Sequence, residues 1–96
     1  MGTLYISEHT AGSIAASQVV SEPCVTEQDL TISGVSVQSV PFNEATRLIR
    51  VHCDVACSIK IGKNPTATNA NKRFAASQTE CFSVLPGHIL AVISNP

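Results

Sequence analysis

Apolar and polar residues alternate along most of this chain with a period of two, the pattern of β-strands that bury one face. The clearest run is RLIRVHCDVACSIKIG at residues 47–62. The apolar residues in each half of this run share one face: Ile49, Val51, Cys53, Cys57, Ile59 and Ile61. We therefore predict two strands whose apolar side chains all face one core.

Only three residues, Asp54 to Ala56, separate these two strands. A connection this short is typical of an antiparallel hairpin. The hairpin predicts three cross-strand pairs, namely Cys53 with Cys57, Val51 with Ile59, and Ile49 with Ile61. It also places Arg50 and Lys60 together on its outer face.

Shorter alternating runs mark the other predicted strands, and residues with turn chemistry separate them. These runs lie at residues 3–7, 28–33, 35–37, 73–76, 80–85 and 88–94. Pro86-Gly87 is a strong turn signal before the last strand. Residues 8–22 are rich in Ser and Ala, so we expect an extended arm or a long loop there. Residues 63–72 are predicted to form an exposed loop that offers a contact surface.

The composition also favours a β fold. The 96 residues include 10 Val, 8 Ile and 8 Thr, against 5 Leu and 1 Met. Side chains branched at Cβ are stiff and suit a pleated, half-buried surface. We predict an all-β chain with one domain over residues 1–96. Its architecture is a compact β-sandwich or jelly-roll-like barrel of about seven to eight short antiparallel strands.

The charge balance argues against two classes of partner. Six Lys and Arg residues against seven Asp and Glu give a formal net charge of -1. Proteins that bind nucleic acid or anionic membranes carry a strong excess of positive charge, so we expect neither partner.

The opening MGTLYISEHT lacks the segments of a signal peptide. The apolar run at residues 89–93 is far shorter than the roughly 20 residues that cross a bilayer. We expect a soluble protein with reduced thiols.

Most of the positive charge lies in the middle of the chain, on both sides of the predicted loop at residues 63–72. Two interpretations stay open. One is an ordinary solvated face, and the other is a patch that docks on an acidic protein surface through charge complementarity. The candidate contact residues are Arg50, Lys60, Lys63, Asn64, Lys72 and Arg73.

The cysteines raise the question of a metal site. Cys53 and Cys57 stand four positions apart with His52 adjacent, and thiolate and imidazole are preferred zinc ligands. Both sulfurs fall on the predicted apolar face, however, where a free Cys behaves as a small hydrophobe. We therefore expect structural burial, with a cross-strand disulfide and a metal site as alternatives. Cys24 and Cys81 stay unassigned, and no cofactor is expected.

No reaction centre emerges from the sequence. The chain contains no glycine-rich phosphate-binding motif. Asp29 and Asp54 do not form a carboxylate pair, and the predicted strands do not bring Cys81 to His88. We expect a protein that is not an enzyme.

Three stretches resemble a group of small proteins encoded by tailed bacteriophages: MGTLYISE at the start, RLIRVHCDVACSIKIGKNPTAT in the middle and LPGHILAVISNP at the end. Such phage proteins are compact β domains from the structural-gene region. The resemblance implies a virion component, in the first place a capsid decoration (cement) protein that binds the major capsid protein and stabilises the head. The alternatives are a tail, head-fibre or receptor-binding module, and a small metal-binding accessory protein.

On this interpretation the protein acts through its interfaces. We expect a homodimer or homotrimer that is located on the capsid surface of the virion and in the host cytoplasm during assembly. The six candidate contact residues would then meet the capsid or a second subunit.

Overall fold

A computed structural model describes residues 2–10, 13–14, 17–18 and 25–96. In these ranges the chain forms strands and no helix, so no helix there is able to span a membrane. The strands are β1 (Gly2–His9), β2 (Ser13–Ile14), β3 (Ser17–Gln18), β4 (Thr26–Ile32), β5 (Val37–Gln38), β6 (Leu48–Cys53), β7 (Cys57–Gly62), β8 (Lys72–Phe74), β9 (Thr79–Ser83) and β10 (Ile89–Ser94).

Eight of these strands form two antiparallel sheets of four strands each. Sheet I has the order β4-β1-β6-β9, and sheet II has the order β5-β10-β7-β8. The short strands β2 and β3 pair with each other. The two larger sheets pack face to face, which confirms the predicted all-β sandwich.

The core lies between the two sheets and takes side chains from both. In β1, Leu4 and Ile6 are buried, whereas Tyr5 between them is 47% exposed, as a period of two requires. In β10, Leu90 and Val92 are fully buried. The buried cluster contains Leu4, Ile6, Ile32, Phe42, Ile49, Val51, Cys53, Cys57, Ile59, Phe74, Val84, Leu90 and Val92.

The predicted hairpin between β6 and β7 is wrong. β6 pairs with β1 and β9 in sheet I, whereas β7 pairs with β10 and β8 in sheet II. The connection between them crosses the sandwich. The Asp54 amide donates a hydrogen bond of 3.1 Å to the Thr3 carbonyl of sheet I, and the Ala56 carbonyl accepts one of 3.2 Å from the Asn95 amide that follows β10. Alternation fixes which face of a strand is buried, but it does not decide whether two such strands share a sheet or face each other.

The predicted inward faces of β6 and β7 are nevertheless confirmed. Five of the six predicted inward residues are at most 3% exposed, and Ile61 packs against the core from its margin. The crossing also separates Arg50 from Lys60, which the predicted hairpin placed together. Arg50 and Lys60 lie on the outer faces of opposite sheets instead of sharing one face.

The first strand is longer than predicted. β1 continues past Ser7 through Glu8 and His9, which are each 1% exposed. These two residues were expected to open the arm or loop at residues 8–22. Of the remainder of that segment the structure describes Thr10 and the strands β2 and β3, and the other residues, like Cys24, lie outside the described ranges.

The remaining predicted strands are present with shifted ends. β4, β8, β9 and β10 overlap the alternating runs, and the run at 35–37 contributes only the short strand β5. The Pro86-Gly87 turn precedes β10 as predicted. Gly87 has a φ of 81°, which glycine adopts without the strain that a Cβ would add.

Candidate interaction surfaces

Four of the six candidate contact residues come together on sheet II and the loop beside it. Lys60 lies on β7, Lys63 follows β7, and Lys72 and Arg73 begin β8, and all four are exposed. The strands of sheet II and residues 63–71, all of which the structure describes, contain no Asp or Glu. Register pairs Arg73 with the outward Ser58 but Lys72 with the inward Ile59, so Lys72 lies at the edge of sheet II on its core side. We call the four cations the basic face. Because no carboxylate interrupts them, their potentials add.

The predicted loop is present at residues 63–71, and hydrogen bonds hold it against sheet II. The Gln38 side-chain amide on β5 donates hydrogen bonds to Asn64 Oδ1 (2.9 Å) and to the Pro65 carbonyl (2.7 Å). The Ala67 amide donates to Ser36 Oγ (2.9 Å). Pro65 and Ala67 are buried, while the loop residues around them, including Asn64, are exposed. The loop therefore carries Lys63 and Asn64 in fixed positions.

Burial on the outer side of sheet II shows what the loop covers. Ser58 and Ala91 are fully buried although both occupy the outer side, where Ala91 pairs with the exposed Lys60. The Asn95 side-chain amide bridges Ser58 Oγ (2.8 Å) and the Asn69 carbonyl (3.3 Å). The loop thus closes over the middle of sheet II and leaves its cations at the rim.

Two of the basic-face residues are also oriented by contacts of their own. Arg73 Nε donates to the Asn95 carbonyl (3.1 Å). Lys72 Nζ lies 4.8 Å from the centre of the Phe82 ring, a cation–π contact that links the edge strands of the two sheets. Beside it, a crevice of about 320 Å³ is lined by Ile59, Lys60, Ile61, Asn71, Lys72 and Phe82.

The outer face of sheet I is a second, different surface. Strand register places six of its outward residues in two cross-strand rows. One row contains Glu27, Ser7 and Arg50, and the other contains Asp29, Tyr5 and His52. We call these six residues the polar face. Each row has a carboxylate on β4, a neutral residue on β1 and a basic or titratable residue on β6.

A groove of about 380 Å³ runs along this face, lined by Tyr5, Ile6, Ser7, Glu27, Gln28, Asp29 and Arg50. Glu27, Asp29 and Arg50 are exposed. Within the described residues these three side chains have no ion-pair partner. The alternating pattern predicts that Tyr5 points outward, but the row that joins Glu27 to Arg50 depends on sheet order, which no local sequence signal contains.

His52 has two polar neighbours on the polar face. Its Nδ1 atom lies 2.6 Å from Thr79 Oγ1, and its Nε2 atom lies 4.0 Å from Asp54 Oδ1. Thr79, His52 and Asp54 thus supply a hydroxyl, an imidazole and a carboxylate. In catalytic triads these groups serve as the nucleophile, the base and the orienting group. The His52 and Asp54 side chains are 33% and 46% exposed, so solvent weakens their attraction, and neither of the grooves described above includes them.

Cys53 and Cys57 are free, fully buried thiols at the two ends of the sheet-crossing connection. This confirms the prediction of structural burial, and no disulfide joins them. The Cys53 thiol donates to the Ala75 carbonyl (3.1 Å). Burial, together with the neighbouring Cys53, raises the pKa of the Cys57 thiol to about 12. Cys57 is therefore a neutral thiol at physiological pH, and a weak nucleophile or metal ligand.

The other residues considered for chemistry are dispersed. Cys81 is exposed on β9 of sheet I, whereas His88 precedes β10 of sheet II. Asp29 lies on β4 and Asp54 in the sheet-crossing connection. In the described ranges no group of three or more His, Cys, Asp or Glu side chains is arranged to hold a metal ion.

No family model, no curated protein and no solved structure matches this chain.

Proposed function

We propose that this chain is a non-catalytic structural protein of a tailed-bacteriophage virion, a capsid decoration protein that docks through its basic face on an acidic surface of the major capsid protein. The observation that carries the proposal is a group of four exposed cations on segments without a carboxylate: Lys60 and Arg73 on the outer side of sheet II, Lys63 in the adjoining loop and Lys72 at the sheet edge. The three stretches that resemble small phage structural proteins supply the identity of the assembly.

The physical properties of the basic face agree with this role. The loop at residues 63–71 is held by Ser36, by Gln38 of β5 and by Asn95 after β10, so the backbone that carries Lys63 loses little conformational freedom on binding. An exposed ion pair contributes about 0.2–1 kcal/mol, so four of them supply at most about 4 kcal/mol. Firm attachment therefore needs several linked copies around a capsid symmetry axis, where multivalency raises the overall affinity although each contact stays weak.

The test is cosedimentation of the full chain with empty, expanded capsids, followed by a count of bound copies per capsid. We expect saturable binding at a copy number that matches a capsid symmetry axis. The binding should weaken as salt rises from about 50 to about 300 mM, because the contacts are charged and exposed.

Charge reversal identifies the face that binds. The double variant Lys60→Glu with Lys63→Glu should reduce capsid binding by at least about tenfold. Arg47→Glu is the control, since it makes the same type of charge change on an exposed residue outside sheet II. Equal loss in both variants would contradict docking through the basic face. Failure of the wild-type chain to bind would contradict the decoration role, and labelling of the phage tail would then favour a tail or receptor-binding module.

A further inference from the structure

The polar face of sheet I carries opposite charges on its two sides. Glu27 and Asp29 stand on β4, and Arg50 stands on β6, with the neutral β1 between them. Glu27 and Arg50 occupy the same cross-strand row, on either side of Ser7. Adjacent strands are about 4.8 Å apart, so the backbones of these two residues lie about 10 Å apart, and in the described structure their side chains form no ion pair across β1.

Such a surface is complementary to itself under one symmetry operation. A two-fold axis that lies in the interface and runs parallel to β1 places β4 of one copy over β6 of the other. Each cross-strand row then faces the same row of the second copy, so Glu27 of each copy meets Arg50 of the other. An in-plane axis perpendicular to β1 would instead place β4 over β4 and oppose carboxylates.

We propose that the polar face is a homodimer interface, in which a second copy of this chain packs against sheet I around a two-fold axis parallel to β1. Two Glu27–Arg50 ion pairs form between the copies, and Asp29 of each copy faces His52 of the other. Tyr5 and Ser7 lie at the axis, so the exposed Tyr5 rings of the two copies meet there, next to the groove that runs over Ser7.

The residue types on this face suit an interface. Tyr and Arg are enriched among the residues that dominate binding energy. Tyr5 is an exposed aromatic ring, and its ring centre lies 6.3 Å from that of His52. This inference is independent of the proposed capsid role, because it uses the sheet opposite the basic face and requires only the chain itself.

The size of the face limits the affinity. Three strands about 20 Å long at about 4.8 Å spacing cover roughly 14 by 20 Å in projection. A standard interface buries about 800 Å² on each partner, so this one belongs to the small class. We therefore expect a reversible dimer with a dissociation constant roughly in the micromolar range, weaker at high salt.

The experiment is sedimentation equilibrium of the full chain and of two charge variants, alone and mixed. Wild-type chain should dimerise reversibly. Glu27→Arg and Arg50→Glu should each weaken self-association by at least about tenfold, since each places like charges opposite each other. An equimolar mixture of the two variants should recover dimerisation, because the arginine introduced in one variant then meets the glutamate introduced in the other. The double variant with both changes in one chain should dimerise like wild type.

Only the proposed axis predicts this recovery together with dimerisation of both the wild type and the double variant. Single variants that dimerise as well as wild type, or a mixture that stays monomeric, would overturn the proposed axis.

Cross-linking gives a second measurement. Ser7→Cys lies at the axis and should form a disulfide-linked dimer under mild oxidation in a Cys81→Ser background. Lys60→Cys in the same background lies on the opposite sheet and should not. A monomer at every concentration would overturn the dimer and leave the capsid proposal to its own test.

Discussion

At the scale of single residues, the most consequential side chain outside the apolar core is Glu8. It is 1% exposed, and its carboxylate accepts three hydrogen bonds. Oε1 accepts from the Asn43 amide (2.9 Å) and the Thr46 hydroxyl (2.7 Å), and Oε2 accepts from the Gln28 side-chain amide (2.9 Å). Glu8 therefore ties β1 to β4 and to the segment that leads into β6. A buried carboxylate tolerates this position because its oxygens are satisfied.

Glu8→Ala should lower the free energy of unfolding by about 2–4 kcal/mol, because it leaves the buried Thr46 hydroxyl without its acceptor and removes an acceptor from two part-buried donors. Denaturant titration followed by circular dichroism measures the change. Glu44→Ala, which removes an exposed carboxylate from the segment that leads into β6, is the matched control and should stay within about 0.5 kcal/mol. Similar values for the two variants would contradict the role assigned to Glu8.

Cys57 makes the stability depend on pH in the alkaline range. Its pKa is raised from 9.0 to about 12, first because burial disfavours the thiolate and then because Cys53 lies beside it. The unfolded chain loses the Cys57 proton near pH 9, whereas the folded chain retains it. The stabilisation by the neutral thiol is therefore complete below about pH 9 and is lost as pH rises towards 12.

The expected result is a fall in the free energy of unfolding between about pH 9 and 12, measured by denaturant titration at each pH. Cys57→Ala should make this fall shallower, since the titrating group is gone. Cys81→Ser removes an exposed thiol and should leave the slope as it is in the wild type. A slope that does not differ between Cys57→Ala and Cys81→Ser would contradict the assignment.

At the scale of elements, the loop at residues 63–71 depends on β5 for its position. Gln38 holds two of its residues through one side chain, and Ser36 holds the Ala67 amide. Gln38→Ala should lower the free energy of unfolding by about 1–2 kcal/mol through the lost hydrogen bonds. It should also speed hydrogen exchange of the Ala67 amide. Thr31→Ala, an outward change on β4, is the control and should leave both quantities unchanged. Unaltered exchange in Gln38→Ala would show that other contacts fix the loop.

The connection between β6 and β7 shows the limit of element prediction from sequence. The alternating pattern correctly assigns the inward faces of both strands, since hydrophobic burial decides that locally. The pairing partners are decided by residues far away in the chain. β6 fits between β1 and β9, and β7 fits between β10 and β8. A three-residue connection is compatible with a hairpin and with a step between sheets, so its length does not distinguish them.

At the scale of the whole molecule, the two sheets share one core, so they should unfold together. Val51 in sheet I and Ile59 in sheet II both belong to that core. Val51→Asp and Ile59→Asp should each abolish the whole β signal in circular dichroism, because an unpaired carboxylate would be forced into the apolar interior. Arg50→Asp and Lys60→Asp, their outward neighbours, are the controls and should remain folded. A variant that loses only one sheet would contradict a single cooperative core.

Charge is also organised at this scale. Four of the six candidate contact residues are exposed cations on sheet II or its loop, Asn64 joins them on that loop, and Arg50 lies on the other side of the sandwich. The net charge of -1 conceals this separation. The molecule therefore presents two surfaces of different character, one basic and one with both signs, and each of the two proposals uses one of them.

The sequence by itself determined the β class, the inward faces of β6 and β7 and the turn at Pro86-Gly87. These properties depend on the period of the apolar residues and on local backbone preferences, which a linear pattern contains. Only the tertiary structure decided that β6 and β7 belong to different sheets, that Glu8 is buried, and that Glu27 and Arg50 share a row while Lys60 lies on the opposite face. Those properties arise from pairing between distant segments, where the gain in buried surface is shared among many residues and no short stretch of sequence specifies the partner.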